Sequence, residues 1–303
     1  MINKLIAGII PYFPPKFIWL FSKRYIAGTN IEDAIAVSEK LNNHHILVTV
    51  DILGEFIKDL SQAEKNKTGY IKMIEAFTRA GIKGNFSLKP TMFGLLIDKE
   101  VCYNNIRDIV KKAASVNNFV RIDMEDSHCT ANEIELFQRL IAQYPKNVGL
   151  ALQSYLHRTH DDLKALATLH TDETPLNIRL CKGIYLESNK IAYKGHREIR
   201  SHFLEDLEEL LTRGIYAGIA THDKYLIKKS LELIEKHKIS NDQFEFQMLY
   251  GVTPKLRQSL VDKNYRMRVY VPFGQEWFGY CTRRLKENPN LAGLIIKALF
   301  VRG

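Results

Sequence analysis

The chain has 303 residues, 46% hydrophobic and 25% charged, and its 43 Lys plus Arg outweigh 34 Asp plus Glu to leave a net charge of +9. This composition excludes a disordered, collagen-like or coiled-coil chain, and a chain of this length buries roughly 75% of its unfolded surface, enough for a core without metals or disulfides. The basic residues are spread along the sequence, so charge alone selects no partner.

In chain order, the first segment is apolar and aromatic: Leu5, Ile6, Ile9, Ile10, Tyr12, Phe13, Phe17, Ile18, Trp19, Leu20 and Phe21 alternate with Lys4, Lys16, Lys23 and Arg24. Its longest uncharged run, Leu5 to Pro15, is broken by Pro11, Pro14 and Pro15 and falls short of the roughly 20 residues of a spanning helix. Two readings stay open. The segment is an interfacial membrane anchor, or, more commonly for such sequences, a helical arm packed on the main domain. The expected division is an arm over 1–44 and one catalytic domain over 45–303. Cys102, Cys129, Cys181 and Cys281 form no C-x-x-C pair and no secretory signal precedes them, so the expectation is a cytoplasmic protein with reduced thiols.

From His45 onward short aliphatic runs ending in polar residues alternate with longer amphipathic segments. The runs are Ile46–Asp51, Gly84–Lys89, Phe119–Asp123, Val148–Gln153, Asn177–Lys182, Ile215–Thr221, Gln243–Met248 and Arg268–Val271, spaced as a strand, a helix and two loops require. The clearest helix spans 196–213, with Ile199, Phe203, Leu207, Leu210 and Leu211 on one stripe that faces a sheet. Gly81 and Gly214 stand where left-handed helix caps are expected. Alternation of this kind means parallel strands with crossover helices. Eight uninterrupted units predict an α/β fold, a TIM-type (βα)8 barrel, and no G-x-G-x-x-G follows the first strand to suggest an open dinucleotide-binding sheet.

On such a barrel the active site lies at the carboxyl ends of the strands. There the sequence places Asp51 with Glu55, Lys89, Asp123 with Glu125, Gln153, Arg179 with Lys182, Thr221 with His222, Gln247, and Tyr270. Alone, Thr221 or Asp51 reads as a loop residue or helix cap; the series as a whole reads as a site. In the final helix Tyr280, Arg283, Arg284 and Glu287 share one face beside an apolar stripe of Phe278, Cys281 and Leu285. Folded over the mouth, that helix would aim two guanidinium groups at a carboxylate or phosphate; left on the surface it is a solvated face with an Arg–Glu pair, the commoner case for such spacing. No metal-binding spacing, nucleophile elbow, P-loop or nucleic-acid signature is present, so neither a metal nor a nucleic-acid partner is expected.

The ordered set Arg24–Tyr25–Ile26–Ala27–Gly28, Asp51–Ile52–Leu53–Gly54–Glu55, Ser87–Leu88–Lys89, Asp123–Met124–Glu125, Arg179–Leu180–Cys181–Lys182–Gly183–Ile184–Tyr185, Ala220–Thr221–His222, Gln247–Met248–Leu249–Tyr250–Gly251 and Y-x-x-R-R-L-x-E-N over 280–288 resembles the proline dehydrogenase family along essentially the whole chain, with its one-domain bacterial members as the nearest type. The resemblance implies a distorted barrel with a final helix across the mouth, bound FAD, and oxidation of L-proline to 1-pyrroline-5-carboxylate by hydride transfer to the flavin N5. It implies that Arg283 and Arg284 clamp the substrate carboxylate, that Lys89 is a further substrate contact, that Tyr270 and Tyr280 wall the ring, and that Glu55 is a gate pairing with Arg283. Asp123 and Arg179 match active-site positions, with orientation of Lys89 or Arg284 and proton transfer both open for Asp123; Met124, Gln153, Arg179, Lys182, Gly183, Ile184, Thr221 and His222 match FAD contacts. It further implies a quinone as electron acceptor, with a peripheral membrane contact at the inner face of the cell membrane. The length leaves no room for an aldehyde dehydrogenase domain, so a separate pyrroline-5-carboxylate dehydrogenase would take the product.

Pro90 stands after Lys89 where an aliphatic residue is usual, and Ile184 and Leu186 also depart from the family pattern. The residues by themselves leave room for a barrel lyase or hydrolase with Lys89 as nucleophile or Schiff base, and for a non-enzymatic membrane-surface protein using the apolar termini.

Overall fold

The structure, a computed structural model, describes Trp19 and residues 23–281. Eight parallel strands close into a barrel in sequence order: β1 Leu47–Ile52, β2 Gly84–Leu88, β3 Val120–Ile122, β4 Val148–Gln153, β5 Asn177–Cys181, β6 Tyr216–Ala220, β7 Phe244–Leu249 and β8 Met267–Phe273. Pairing of Leu47 with Arg268 through Ile52 with Phe273 closes the ring. Every expected strand is present, and the fold is the expected TIM-type barrel.

The outward strand residues Val48, Val50, Phe86, Leu88, Ile178 and Leu180 are buried beneath the crossover helices α2 Leu60–Arg79, α3 Lys99–Ser115, α4 Ser127–Ile141, α5 Thr159–Ala167, α6 His196–Thr212, α7 Lys224–Lys236 and α8 Pro254–Val261. α6 buries Phe203, Leu207, Leu210 and Leu211, the expected stripe. Asp59, Asp98, Asp126 and Asp223 cap α2, α3, α4 and α7, their carboxylates accepting from N–H groups of the first turn. Gly81 and Gly214 take the expected positive φ, 64° and 72°.

Two features set this barrel apart from a regular one. Before the barrel, the segment 24–28 runs beside the end of β8, with Ala27 N donating to Pro272 O at 2.9 Å and Gly274 N to Gly28 O at 3.1 Å. The helix α1 Ile31–Asn42 then packs on both β8 and β1 through Ala34, Ser38 and Leu41, on the flank that a helix following β8 would occupy in a regular barrel. After β8 the chain becomes helical at 277–281, and Tyr280 lines a cavity at the mouth with Glu55 and Lys89. The final helix thus begins over the mouth, as expected. Trp19 and Trp277 meet edge to face at 4.8 Å. The rest of the aromatic arm, Arg283, Arg284 and Glu287 lie outside the described residues. Among the described residues no helix is long and apolar enough to cross a membrane.

Candidate active site

Period-two alternation puts Thr49, Asp51, Ser87, Arg121, Arg179, Glu245 and Gln247 inside the barrel, all of them buried. Branched aliphatic layers usually fill this space; here a hydrogen-bonded polar core does, and its top is the candidate site.

Asp51 is fully buried, so the reading as an isolated loop or cap residue fails. Its Oδ2 lies 2.8 Å from Lys89 Nζ, and the Tyr70 hydroxyl lies 3.2 Å from Oδ1 and 2.8 Å from Ser87 O. Burial raises the Asp51 carboxyl against the pull of Lys89. On Lys89 burial works against the charge, but the Asp51 and Asp123 carboxylates outweigh it and hold the amine above its ordinary range. Lys89 is therefore an ammonium, not the neutral amine that a Schiff base needs.

Asp123 follows β3 and gathers three donors. Ser87 Oγ donates at 2.6 Å and Tyr270 OH at 2.9 Å, and Arg179 Nη1 forms an ion pair with Oδ1. The sequence left open whether Asp123 orients Lys89 or Arg284 or transfers a proton; the structure gives Lys89 to Asp51 and puts Arg179 on Asp123, and Arg284 lies outside the described residues. Burial, then Asp123, pushes the Tyr270 phenol well up, so it stays protonated and donates. Arg179 is fixed on its other side by Gln247 Oε1 at 2.6 Å, Gln247 Nε2 donates to Glu245 at 2.7 Å, and Arg268 grips Glu245 at 2.6 and 3.0 Å. Gly218 makes room for this chain, because a Cβ there would lie 2.5 Å from Gln247 Nε2. Arg179 Nη2 is buried with no hydrogen-bond partner among the described residues.

The remaining candidates line the other side of the mouth. Gln153 Nε2 donates to Glu125 O at 2.7 Å. Thr221 Oγ1 accepts from Asp223 N at 3.1 Å, and His222 Nε2 accepts from Leu249 N at 2.9 Å. Lys182 Nζ sits 3.3 Å from Asp223, whose carboxylate is also held by Arg200; burial there is outweighed by the two cations, which lower the carboxyl. Met124 is buried, whereas Ile184 is 41% exposed and Leu186 fully exposed. Gly183 has φ +106°, and a Cβ on it would fall 2.0 Å from the Tyr155 ring, so only glycine fits.

Glu55, Lys89 and Tyr280 share a cavity of about 550 Å³ with Leu53, Met92 and Asn66. Sequence reading missed Ser87, Tyr70, Glu245 and Arg268. A signal was there for three of them: Ser87, Glu245 and Arg268 each stand two residues before a candidate, and two residues along a strand is the same face.

The sequence profile of the family described as Proline dehydrogenase matches residues 34–295. The chain belongs to the proline dehydrogenase family. It is 34% identical to proline dehydrogenase 1 of Bacillus subtilis subsp. natto over 280 residues, 92% of this chain and 91% of that one. It is likewise 34% identical to the proline dehydrogenase of Deinococcus radiodurans over 286 residues, 93% of this chain and 91% of that one. Among solved structures, proline utilization A (PutA) from Bdellovibrio bacteriovorus inactivated by N-propargylglycine superposes with a TM-score of 0.83 at 25% identity over 88% of this chain. This chain spans only 32% of that PutA chain. The resemblance in the motifs is thus borne out over most of the chain, and this is an oxidoreductase of the proline dehydrogenase family.

Proposed function

We propose that this enzyme uses FAD to oxidise L-proline to 1-pyrroline-5-carboxylate and passes the electrons to a quinone. One observation carries the reading: in a chain of this family, Arg179 is clamped between Asp123 and Gln247 yet keeps a buried Nη2–H with no acceptor among the described residues. A buried donor of this kind calls for an acceptor. Arg179, the Lys182 ammonium and the bare backbone at Gly183 suit a planar, anionic, acceptor-rich group, and Gln153, Met124, Ile184, Thr221 and His222 surround the same side. When bound, FAD supplies the two-electron acceptor. Oxidation removes a hydride from the ring carbon next to nitrogen and a proton from the nitrogen, forming the C=N bond.

The chain's own residues bind and orient the substrate. The Lys89 ammonium faces the cavity and, with Arg283 and Arg284, holds the proline carboxylate away from the reacting carbon. The same positive field disfavours the substrate ammonium and so favours the neutral amine that loses hydride. Tyr270, fixed by Asp123, and Tyr280 bound the ring, and Glu55 stands at the entrance as the gate. The ammonium state of Lys89 weighs against a Schiff-base lyase. The product passes to a separate pyrroline-5-carboxylate dehydrogenase, and the enzyme works in the cytoplasm with its apolar arm on the inner face of the membrane.

The test is proline-dependent reduction of an artificial dye, with the product trapped by 2-aminobenzaldehyde. Dye and adduct should form in equal amounts, and Arg284→Ala should raise KM for proline roughly 10- to 100-fold with FAD retained. No proline-dependent dye reduction contradicts the reading. Removing residues 1–20 should lower co-sedimentation with anionic vesicles and leave dye-coupled activity; unchanged co-sedimentation contradicts the membrane contact.

A further inference from the structure

Glu55, Lys89 and Asp123 belong to three successive strand-end segments, and one buried side chain joins all three. Glu125 is fully buried, two residues beyond Asp123. Its Oε1 accepts from Thr91 N at 2.9 Å and its Oε2 from Thr91 Oγ1 at 2.6 Å. Thr91 lies in the short 3-10 turn Pro90–Phe93 that starts directly after Lys89. The Thr91 hydroxyl in turn accepts from Phe56 N at 2.9 Å, and Ile57 N points to Thr91 O at 3.4 Å. Phe56 adjoins Glu55 and holds a left-handed φ of +51°, which a non-glycine residue keeps only where its surroundings impose it. The main chain of Glu125 is itself fixed, its N–H donating to Glu133 Oε1 at 3.0 Å and its carbonyl accepting from Gln153 Nε2 at 2.7 Å.

Resting on the functional reading above, we propose that Glu125, acting through Thr91, is the positioning residue that sets Lys89 and the Glu55 segment for substrate binding. Glu125 touches neither reacting group; it acts as a two-pronged acceptor holding one threonine, and that threonine holds both loops. A carboxylate in an apolar interior is costly, and an uncharged side chain would satisfy packing alone. A carboxylate accepts from the Thr91 amide and hydroxyl at once, leaving the hydroxyl oxygen to accept from Phe56. An amide in its place offers one acceptor and turns N–H toward the hydroxyl, so the Thr91 O–H loses its acceptor and the two-pronged hold on Thr91 is lost.

The arrangement responds to pH. Burial pushes Glu125 up to about 7, against the lowering effect of its Thr91 hydrogen bonds. The titratable groups facing it are Lys89, Glu55, Glu133 and Cys129 of α4, Cys102 of α3, and Tyr185. Burial raises Glu133, both thiols and the Tyr185 phenol. Protonation of Glu125 below about 7 weakens one of its two acceptor oxygens and loosens Thr91.

The probe is tetrahydrofuran-2-carboxylate, the ring-oxygen analogue of proline, which keeps the carboxylate and has no titrating amine. Its Kd for the FAD-loaded enzyme should rise about tenfold from pH 8 to pH 6. Glu125→Gln should bind about tenfold more weakly at pH 8, with its Kd nearly level across that range, and should raise KM for proline more than it lowers kcat. Thr91→Val should copy the affinity loss and Thr91→Ser restore it, and this pair carries the test if Glu125→Gln does not fold. Wild-type enzyme that binds both ligands beside Thr91→Val and Glu125→Gln with unchanged Kd overturns the proposal alone. Wild-type enzyme that binds neither overturns the functional reading, and the proposal with it.

Discussion

Around the mouth of the barrel, the side formed by β1, β2, β3 and β8 differs from the side formed by β5 and β6. On the first, the central side chains are joined across strands by charge or hydrogen bond, Lys89 to Asp51 and both Tyr270 and Ser87 to Asp123, and Arg179 of β5 reaches over from the second side to Asp123. On the second, Lys182 pairs with Asp223, Thr221 accepts from Asp223 N and His222 from Leu249 N of β7, while the chain after Gly183 leaves Ile184 and Leu186 exposed. The first side is joined by its own ion pairs and hydrogen bonds, and the proposed function gives it the small substrate, held by its carboxylate. The second presents backbone, the Gly183 cradle and apolar side chains, and the proposed function gives it the cofactor.

The largest effect should come from breaking the assembled side. Lys89→Met leaves the Asp51 carboxylate buried and unpaired, at a cost of roughly 3–5 kcal/mol. Much of the lost Tm should return in the Lys89→Met, Asp51→Asn double variant. A double variant no more stable than the single one would show that the pair is not the source.

Next comes the open side. Gly183→Ala meets both the Tyr155 ring and a disfavoured φ, for about 1–3 kcal/mol, and should lower the Tm of the cofactor-free protein as well as its FAD content. FAD content equal to wild type contradicts the cradle.

The smallest effect concerns pH. Burial, then the Glu125 carboxylate, holds Glu133 well above its ordinary 4.5. Its contribution is fully present below the unfolded value and is lost as pH rises through the higher folded value, since the folded state then gives up a proton the unfolded chain lost earlier. The Tm of Glu133→Gln relative to wild type should therefore increase from pH 5 to pH 8. A constant difference contradicts the shift.

The barrel was legible because strands covered by helices read as short apolar runs, and β4 appears with its expected bounds. The strand-end rule then found Lys89, Asp123, Arg179 and Tyr270 without knowledge of their contacts. Their partners were not legible. Arg179 and Asp123 are 56 residues apart and Tyr270 and Asp123 147, and nothing local in a sequence states which inward side chains meet across a barrel. Asp51 taken alone stayed ambiguous for the same reason: a carboxylate at a strand end looks identical whether it caps a helix or pairs with a lysine 38 positions away. Glu125 was visible as half of Asp123–Met124–Glu125, but its grip on Thr91 depends on how the turn after Lys89 folds back.

The central claim, that an assembled substrate side faces a cofactor side completed by FAD, is tested most directly by the visible spectrum of the purified protein under anaerobic titration with L-proline. The account predicts flavin absorption that bleaches as proline is added, one equivalent per flavin. A protein that is colourless, takes up no added FAD and does not respond to proline would contradict it.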